Sequence, residues 1–181
     1  LHSFPTRRSS DLSPLRATYF FLYHSNWSAL RGVMKVYISD LKDHVGKTVT
    51  LNGWVYNHRS SGKIKFLLLR DGTGICQCVY FRGECDEKAF TDFEQLSQES
   101  CVQVIGVVRE EKRSPGGFEL SARELVIHSG SVDYPITPKE HGPDFLLNNR
   151  HLWIRSKRQH AVLRVRAEVV AAIRDFFDGR G

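Results

Sequence analysis

Apolar and polar residues alternate along the central part of the chain, as they do in β-strands that bury one face. Gly53, inside the first such segment, predicts a bulge or a sharp bend. Upstream, residues 36–38 predict a short extended piece that leads into a helical turn or a loop. The alternation as a whole predicts five strands, at residues 48–57, 63–69, 75–81, 102–109 and 118–128.

Residues 87–99 follow the helical period instead, with Phe90, Phe93 and Leu96 on one face. This helix would lie between the third and fourth strands. Five short strands with one helix in that place have the element order of an OB fold. The sequence therefore predicts an all-β, five-stranded OB-fold barrel with one helix, over residues 34–134.

The chain changes character after residue 134. Prolines mark residues 133–138 as an extended linker, residues 135–150 are expected to form a hinge or linker, and residues 151–181 then begin a second domain. Ser156 is expected to cap a helix over residues 157–178, with Gly179 as its stop. The helix has an apolar stripe that nothing else in the sequence can fully cover, so we expect this second domain to be truncated.

The segment Asp71-Gly72-Thr73-Gly74 has two interpretations, a phosphate-binding loop or a turn between two strands. A dinucleotide-binding loop requires a third glycine and then a helix. Here the chain continues directly into the third predicted strand, and Asp-Gly after an apolar run is typical of a hairpin. We therefore expect a turn.

The net charge of +6 is unevenly distributed along the 181 residues. Residues 34–149 carry 14 basic and 16 acidic side chains, whereas residues 150–181 carry eight basic and three acidic ones. The predicted barrel is therefore not a basic domain. Any binding of a polyanion there must come from a local patch. No apolar run approaches the length of a membrane span.

The four cysteines, Cys76, Cys78, Cys85 and Cys101, include no Cys-x-x-Cys pair. This spacing disfavours a zinc site, and we expect no bound metal. Small buried apolar side chains in a reducing compartment are the expected role.

Residues 1–33 do not fit the remainder of the sequence. The segment LHSFPTRRSSDL has no initiator Met, and the apolar run that follows it is too short for a signal peptide. The segment LHSFPTRRSSDL resembles translated adapter sequence. We expect residues 1–33 to be an artefactual or disordered leader and Met34, the only Met, to be the true start.

The predicted barrel offers the side chains that a single-stranded nucleic acid requires, namely an aromatic ring, cations and a side-chain amide. Arg59, Lys63 and Lys65 cluster at the loop between the first two strands and the start of the second. Gln77 lies in the third strand between two cysteines. Alternation sends Gln77 to the face opposite the cysteines, which we expect to be the binding face.

Phe66 has two interpretations on the pattern alone. Strict alternation groups it with Ile64 and Leu68, which would make a core face and leave Lys63 and Lys65 outside. The same ring could instead be an exposed platform for a base. The strand alternation favours a core position for Phe66 but does not decide between the two interpretations.

The segment LNGWVYNHRSSGKIKFLLLRDGTGICQ resembles the anticodon-binding barrel of the class IIb aminoacyl-tRNA synthetases, those for aspartate, asparagine and lysine. The later segment PITPKEHGPDFLLNNRHLWIRSKRQHAVLRVRAEVVAAIRDFF resembles the bacterial asparaginyl-tRNA synthetases in particular. Its distinguishing string is RHLWIRSKRQHA. The resemblance covers residues 34–181.

The resemblance implies a role for each matching position. Phe66 would stack on the middle base of the anticodon, and Gln77 would hydrogen-bond the same uridine. Arg59 is the best counterpart of the basic residue that contacts the anticodon from the loop between the first two strands, and Lys63 is a second candidate. The middle U is common to the aspartate, asparagine and lysine anticodons, so these residues do not separate the three.

The resemblance also implies the activity of the longer protein: a cytoplasmic, homodimeric asparagine–tRNA ligase that uses ATP and Mg²⁺, with tRNA of the asparagine type as its partner. Residues 151–181 would begin its α+β class II catalytic domain, with the long helix in the dimer interface. The sequence lacks that domain's motifs 2 and 3. We therefore expect that this chain contains no catalytic residue, binds neither ATP nor Mg²⁺ and forms no aminoacyl-adenylate.

Two alternatives remain open. The first is an aspartyl-tRNA synthetase of related type, whose barrel would look the same. The second is a stand-alone OB module that binds single-stranded nucleic acid without catalysis. An anticodon reader predicts a penalty for changing the middle U, whereas a non-specific binder tolerates any base.

Overall fold

The computed structural model describes residues 32–137 and 139–181. Almost all of the expected leader, residues 1–31, lies outside the described residues. The chain divides into two compact units after Gly130.

The first unit contains six strands: β1 (Met34–Lys35), β2 (Thr48–Ser61), β3 (Ile64–Arg70), β4 (Ile75–Phe81), β5 (Cys101–Glu110) and β6 (Phe118–Ser129). They form one sheet with the order β1-β2-β3-β4-β6-β5. Strand β5 also pairs with β2, so the five strands from β2 to β6 close into a ring. All pairings within the ring are antiparallel except that of β4 with β6.

The five predicted strands are confirmed as β2 to β6, and the bounds predicted for β4 are those observed. Strand β2 runs four residues further than expected, to Ser61. The short strand lies at Met34–Lys35 and not at residues 36–38, and the helical turn expected after it is present as a 3₁₀ helix that begins at Ile38.

The core lies inside the ring, where strands β2 to β6 each contribute alternate apolar residues. Cys76 and Cys78 belong to it, which confirms that they are buried core side chains, whereas Cys85 and Cys101 are only partly buried. The hydrogen bond with Cys76, together with burial, raises the pKa of Cys78, so this thiol stays protonated at neutral pH. Fully buried side chains include Leu51, Leu67, Leu69, Tyr80, Phe93, Val102, Val104, Val108 and Leu120.

Gly53 permits a close approach of two backbones, and of the two alternatives expected there, a bulge or a sharp bend, the bulge is wrong in position. A Cβ atom at this position would lie 2.4 Å from the carbonyl oxygen of Arg70. The pairing register of β2 with β3 shifts further along, between Val55 and Asn57. Strand β2 has one extra residue at that point, so its alternation of inward and outward positions shifts by one residue before Arg59.

The helix predicted between the third and fourth strands is present but shorter than residues 87–99. It consists of α1 (Glu87–Asp92) followed by a 3₁₀ turn, Phe93–Gln95. Phe93 is buried and its ring contacts Tyr80 edge-on, at 5.6 Å between centroids. The other 3₁₀ helices described are Ile38–His44 and Pro115–Gly117.

The second unit contains three helices among its described residues: α2 (Pro143–Asn148), α3 (Arg150–Trp153) and α4 (Lys157–Asp178). The bounds of α4 are those predicted, and the Ser156 side chain accepts a hydrogen bond from the Gln159 backbone nitrogen at 3.5 Å. In the described part of the chain, no helix has both the length and the apolar character needed to cross a membrane. Apolar residues exposed along α4 are Val162, Leu163, Val165, Val169, Val170, Ile173, Phe176 and Phe177.

Candidate nucleic-acid interface

Residues 71–74 form the turn between the antiparallel strands β3 and β4, as predicted. One carboxylate oxygen of Asp71 accepts hydrogen bonds from the backbone nitrogens of Thr73 and Gly74, at 2.7 and 2.9 Å. The other accepts from the Ile38 nitrogen at 2.9 Å. Three of the four backbone nitrogens of the turn, at residues 71, 73 and 74, therefore donate within the protein, which disfavours a phosphate-binding loop.

Strands β3 and β4 present one face to the core and one face outward. On β3, Lys65, Leu67 and Leu69 are buried, whereas Phe66 and Leu68 alternate with them and are half-buried on the outer face. The core-face grouping that the pattern favoured for Phe66 is therefore wrong. The alternation was correct, but it could not tell which of the two sets pointed inward.

Arg59 lies directly opposite Phe66 in the pairing of β2 with β3. Its guanidinium carbon lies 4.4 Å from the centroid of the Phe66 ring, in a cation–π contact. Arg59 was expected in the loop between these strands, which is wrong because β2 extends past it. The loop itself is only Gly62 and Lys63, with Gly62 at a φ of +57° and Lys63 exposed.

Gln77 lies on the outer face of β4, as predicted, and pairs with Leu68. It is therefore a diagonal neighbour of Phe66, at a typical Cα separation of about 7–8 Å. Its Nε2 atom lies 3.4 Å from both the Ser114 Oγ and a Glu119 carboxylate oxygen. The Ser114 hydroxyl also donates to that Glu119 oxygen, at 3.3 Å.

These contacts determine how the Gln77 amide points. An ionised carboxylate can only accept hydrogen bonds, so the nitrogen of the amide must face Glu119 and the carbonyl oxygen faces away from it. Sequence reasoning missed both Ser114 and Glu119. Local spacing gives no sign of them, because Gln77 and Glu119 meet through the parallel pairing of β4 with β6.

Lys65 does not belong to the outer face, which corrects its expected place in the basic cluster. The residue is 3% exposed. Its ammonium group donates to the Phe90 carbonyl and to a Glu94 carboxylate oxygen, both at 2.5 Å. The same group lies 4.0 Å from the centroid of the Phe90 ring. Lys65 therefore anchors α1 to the ring of strands.

We expect Lys65→Ala to lower the free energy of unfolding by about 2 kcal/mol, because it removes buried packing and leaves the partners of the ammonium unpaired. Lys63→Ala, the matched exposed lysine, should change it by less than about 0.5 kcal/mol. Urea unfolding followed by circular dichroism measures both. Equal stability of the two variants would show that the buried contacts of Lys65 contribute nothing.

The far end of β3 is held by an ion pair between Arg70 and Glu99, at 2.7 Å. Both side chains are largely buried, with 13% and 4% of their surface exposed. Glu99 has a φ of +68°, which is unfavourable for a non-glycine residue, and its backbone nitrogen donates to the Val55 carbonyl at 2.7 Å. This end of the outer face is therefore rigidly built.

Comparison with known proteins supports a nucleic-acid interface on this unit. Residues 49–127 match the family model described as tRNA anti-codon, OB-fold nucleic acid binding domain. Asparagine–tRNA ligase of Sorangium cellulosum is 52% identical over 144 residues, which are 79% of this chain and 32% of the relative. The ligase of Thermus thermophilus is 50% identical over 149 residues, covering 82% of this chain and 34% of the relative.

This chain belongs to the asparagine–tRNA ligase family. It spans about a third of the length of the curated relatives it matches. The match to these ligases extends past the segment that matches the OB-fold model, and this disfavours the alternative of a stand-alone OB module.

Solved structures agree with that assignment. The asparaginyl-tRNA synthetase of Pyrococcus horikoshii, in a complex with asparaginyl-adenylate, superposes with a TM-score of 0.75 at 35% identity. The superposed region is 82% of this chain and 35% of the Pyrococcus horikoshii chain. Aspartyl-tRNA synthetases match at 22% identity, which shows the fold alone, so the aspartyl alternative has less support than the asparaginyl one.

Within this member of the ligase family, the structure brings together three of the four predicted site residues. Arg59, Phe66 and Gln77 share the outer face of β2, β3 and β4. Lys63 lies at its edge, in the turn between β2 and β3.

Proposed function

We propose that this chain provides the anticodon-binding function of an asparagine–tRNA ligase, with tRNA of the asparagine type as its partner. The observation that carries the proposal is the common orientation of Phe66 and Gln77, diagonal neighbours that both face away from the core. An aromatic ring beside a fixed amide suits the recognition of a single unstacked base, by stacking on its face and hydrogen bonding to its edge.

In this proposal Phe66 stacks on the middle base of the anticodon, after Arg59 has moved. A base between the two groups would need a gap of about 3.5 Å on each side, or about 7 Å in total. The guanidinium carbon of Arg59 is 4.4 Å from the ring centroid, which leaves no room for it. Once displaced, the guanidinium is free to pair with an RNA phosphate beside the stacked base.

Gln77 reads the edge of that base. With its nitrogen turned toward Glu119 and Ser114, the amide offers its carbonyl oxygen as an acceptor. Uracil carries a donor at N3, whereas cytosine carries an acceptor there. A fixed acceptor opposite N3 therefore favours U over C, and Glu119 acts as a positioning residue for Gln77.

We expect Glu119→Gln to reduce the preference for a middle U over a middle C, because the uncharged amide no longer fixes which atom of Gln77 points outward. The ratio of the two dissociation constants should fall about fivefold to tenfold, which corresponds to one hydrogen bond. Titrations with two stem-loops that differ only at the middle base measure it. An equal loss of affinity for both stem-loops would contradict a role in orienting Gln77.

The ligation reaction of the longer protein is also a proposal here. The proposed enzyme joins asparagine to its tRNA in the cytoplasm with ATP and Mg²⁺. Among residues 32–137 and 139–181, no group of three or more His, Cys, Asp and Glu side chains could hold a metal ion. No step of the chemistry is assigned to the described residues.

Helix α4 provides the proposed start of the catalytic domain, within residues 151–181, after a linker at residues 135–150. Its exposed apolar stripe, including Val165, Ile173 and Phe177, supports a packing role. A second copy would cover this stripe in the proposed homodimer. Coverage by further residues of the longer protein is an equally good proposal.

The proposal is tested by the affinity of the chain for isolated RNA stem-loops. The asparagine-type anticodon stem-loop should bind more tightly than the same stem-loop with A at the middle position, by about tenfold or more. Fluorescence anisotropy at a fixed salt concentration measures both. Equal affinities would reject anticodon reading and favour non-specific binding of single strands.

A further inference from the structure

Phe81 is a second aromatic ring on the outer face that the proposed function does not use. It is the last residue of β4 and has the same parity as Gln77, so both point away from the core. In the pairing of β3 with β4, Phe81 lies opposite Ile64, and Val79 lies opposite Phe66. Phe81 is therefore a diagonal neighbour of Phe66 on the side away from Gln77, at a Cα separation of about 7–8 Å.

The ring of Phe81 is more accessible than its neighbours. Phe81 is 42% exposed, whereas the other outward residues of β4, Ile75, Gln77 and Val79, are half-buried. Its backbone carbonyl accepts hydrogen bonds from the nitrogens of Glu84 and Cys85, at 3.0 and 3.2 Å. The backbone of Phe81 is thus held by the sheet and by the turn that follows.

The outward positions of the sheet beside Phe81 suit a nucleic acid, and the exposed Glu84 in the turn after β4 lies 3.8 Å from the Arg109 guanidinium. The outward residues of β3 and β4 include no carboxylate, and Arg59 lies in the neighbouring strand. Two exposed cationic residues are adjacent in sequence to this part of the sheet, Lys63 before Ile64 and Arg82 after Phe81, and the Arg82 guanidinium lies 5.5 Å from the centroid of the Phe90 ring. Their backbones are joined by a hydrogen bond from the Arg82 nitrogen to the Lys63 carbonyl, at 2.9 Å.

We propose that Phe81 is a second stacking platform, which takes the nucleobase next to the one on Phe66. The inference rests on the proposed function, because it assumes that the middle base of the anticodon lies on Phe66. Proteins that hold single strands place successive bases on successive aromatic rings, with cations along the backbone. Stacking tolerates any base, so Phe81 adds affinity without adding sequence discrimination.

The test uses the purified chain and its Phe81→Ala, Phe81→Leu and Phe81→Trp variants. Each is titrated with the intact asparagine-type stem-loop and with two stem-loops that carry an abasic nucleotide on one or the other side of the middle U. The Ala and Leu variants should bind the intact loop about tenfold more weakly, and the Trp variant about as well as the wild type. One of the two abasic loops lacks the base that stacks on Phe81, and the wild type and Phe81→Ala should bind that loop with equal affinity.

A matched control is Tyr37→Ala, since Tyr37 is an exposed aromatic residue outside β3 and β4, and it should leave affinity unchanged. Wild-type affinity of Phe81→Ala for the intact loop would overturn the inference, and so would a tenfold loss that persists with both abasic loops. If the wild type does not distinguish the intact loop from one with a changed middle base, the proposed function itself fails. The second platform then fails with it.

Discussion

Phe66→Ala is expected to weaken binding of the asparagine-type anticodon stem-loop by about tenfold to a hundredfold, since base–aromatic stacking is worth about 1–3 kcal/mol. The loss should persist as salt is raised, because stacking releases no counterions. The half-buried ring lies on the outer face of β3, so the fold should survive its removal. Titrations across a salt series measure the effect.

Phe66→Leu separates stacking from simple apolar contact, because it keeps an apolar side chain of similar size and removes the aromatic face. It should lose nearly as much affinity as the Ala variant. Arg59→Ala should instead reduce the salt dependence, by about one unit of its logarithmic slope. If Phe66→Ala unfolds the chain, or loses affinity only at low salt, the stacking role of Phe66 is wrong.

Gly106→Ala is expected to cost about 3 kcal/mol of stability, the upper end of typical overpacking penalties. Gly106 lies in β5, where β6 crosses closely. A Cβ atom there would lie 2.3 Å from the Ser121 carbonyl oxygen and 2.8 Å from the Ala122 Cα. Both are backbone atoms, so neither can rotate away. The pairing of β5 with β6, which helps to close the ring, would have to separate.

The matched control is Gly130→Ala, because a Cβ atom at Gly130 meets nothing within 4 Å. Its stability should stay within about 0.5 kcal/mol of the wild type. Urea unfolding of both variants decides the matter. A Gly106→Ala protein as stable as the Gly130→Ala protein would mean that β5 and β6 leave room for a Cβ atom at position 106.

The local sequence pattern predicted strands and helices well where a single periodicity and its flanking turn or cap determined the element. Strand β4 was found with its observed bounds, because alternation runs unbroken from Ile75 to Phe81 and the Asp71 turn precedes it. Helix α4 was found for a similar reason, with a capping Ser156 before a continuous helical period. The order of the five strands and the intervening helix was enough to identify the OB fold.

The pattern failed where a distant residue decides the outcome. An inward lysine is stable at position 65 only because Phe90 and Glu94, more than 20 residues away, accept its ammonium protons. From the sequence alone, a lysine at position 65 indicates the outward face of the strand, and Phe66 is then predicted on the inward face. The contact of Gln77 with Glu119 is equally non-local.

The family resemblance placed Phe66 on a binding face against the preference of the pattern, and the structure puts it on the outer face. Its role in stacking stays a prediction. Arg59 was assigned to the loop because the predicted first strand stopped at residue 57. The bulge between Val55 and Asn57 and the longer β2 place it in the sheet opposite Phe66.

The most direct test of the anticodon site is a photocrosslink from the middle base. The asparagine-type stem-loop is prepared with 4-thiouridine at the middle position, bound to the chain, irradiated and analysed by peptide mass spectrometry. Our proposal predicts that the crosslinks map to β3 and β4, centred on Phe66 and Gln77. Crosslinks centred instead on the basic start of α4, at Lys157 and Arg158, would contradict it.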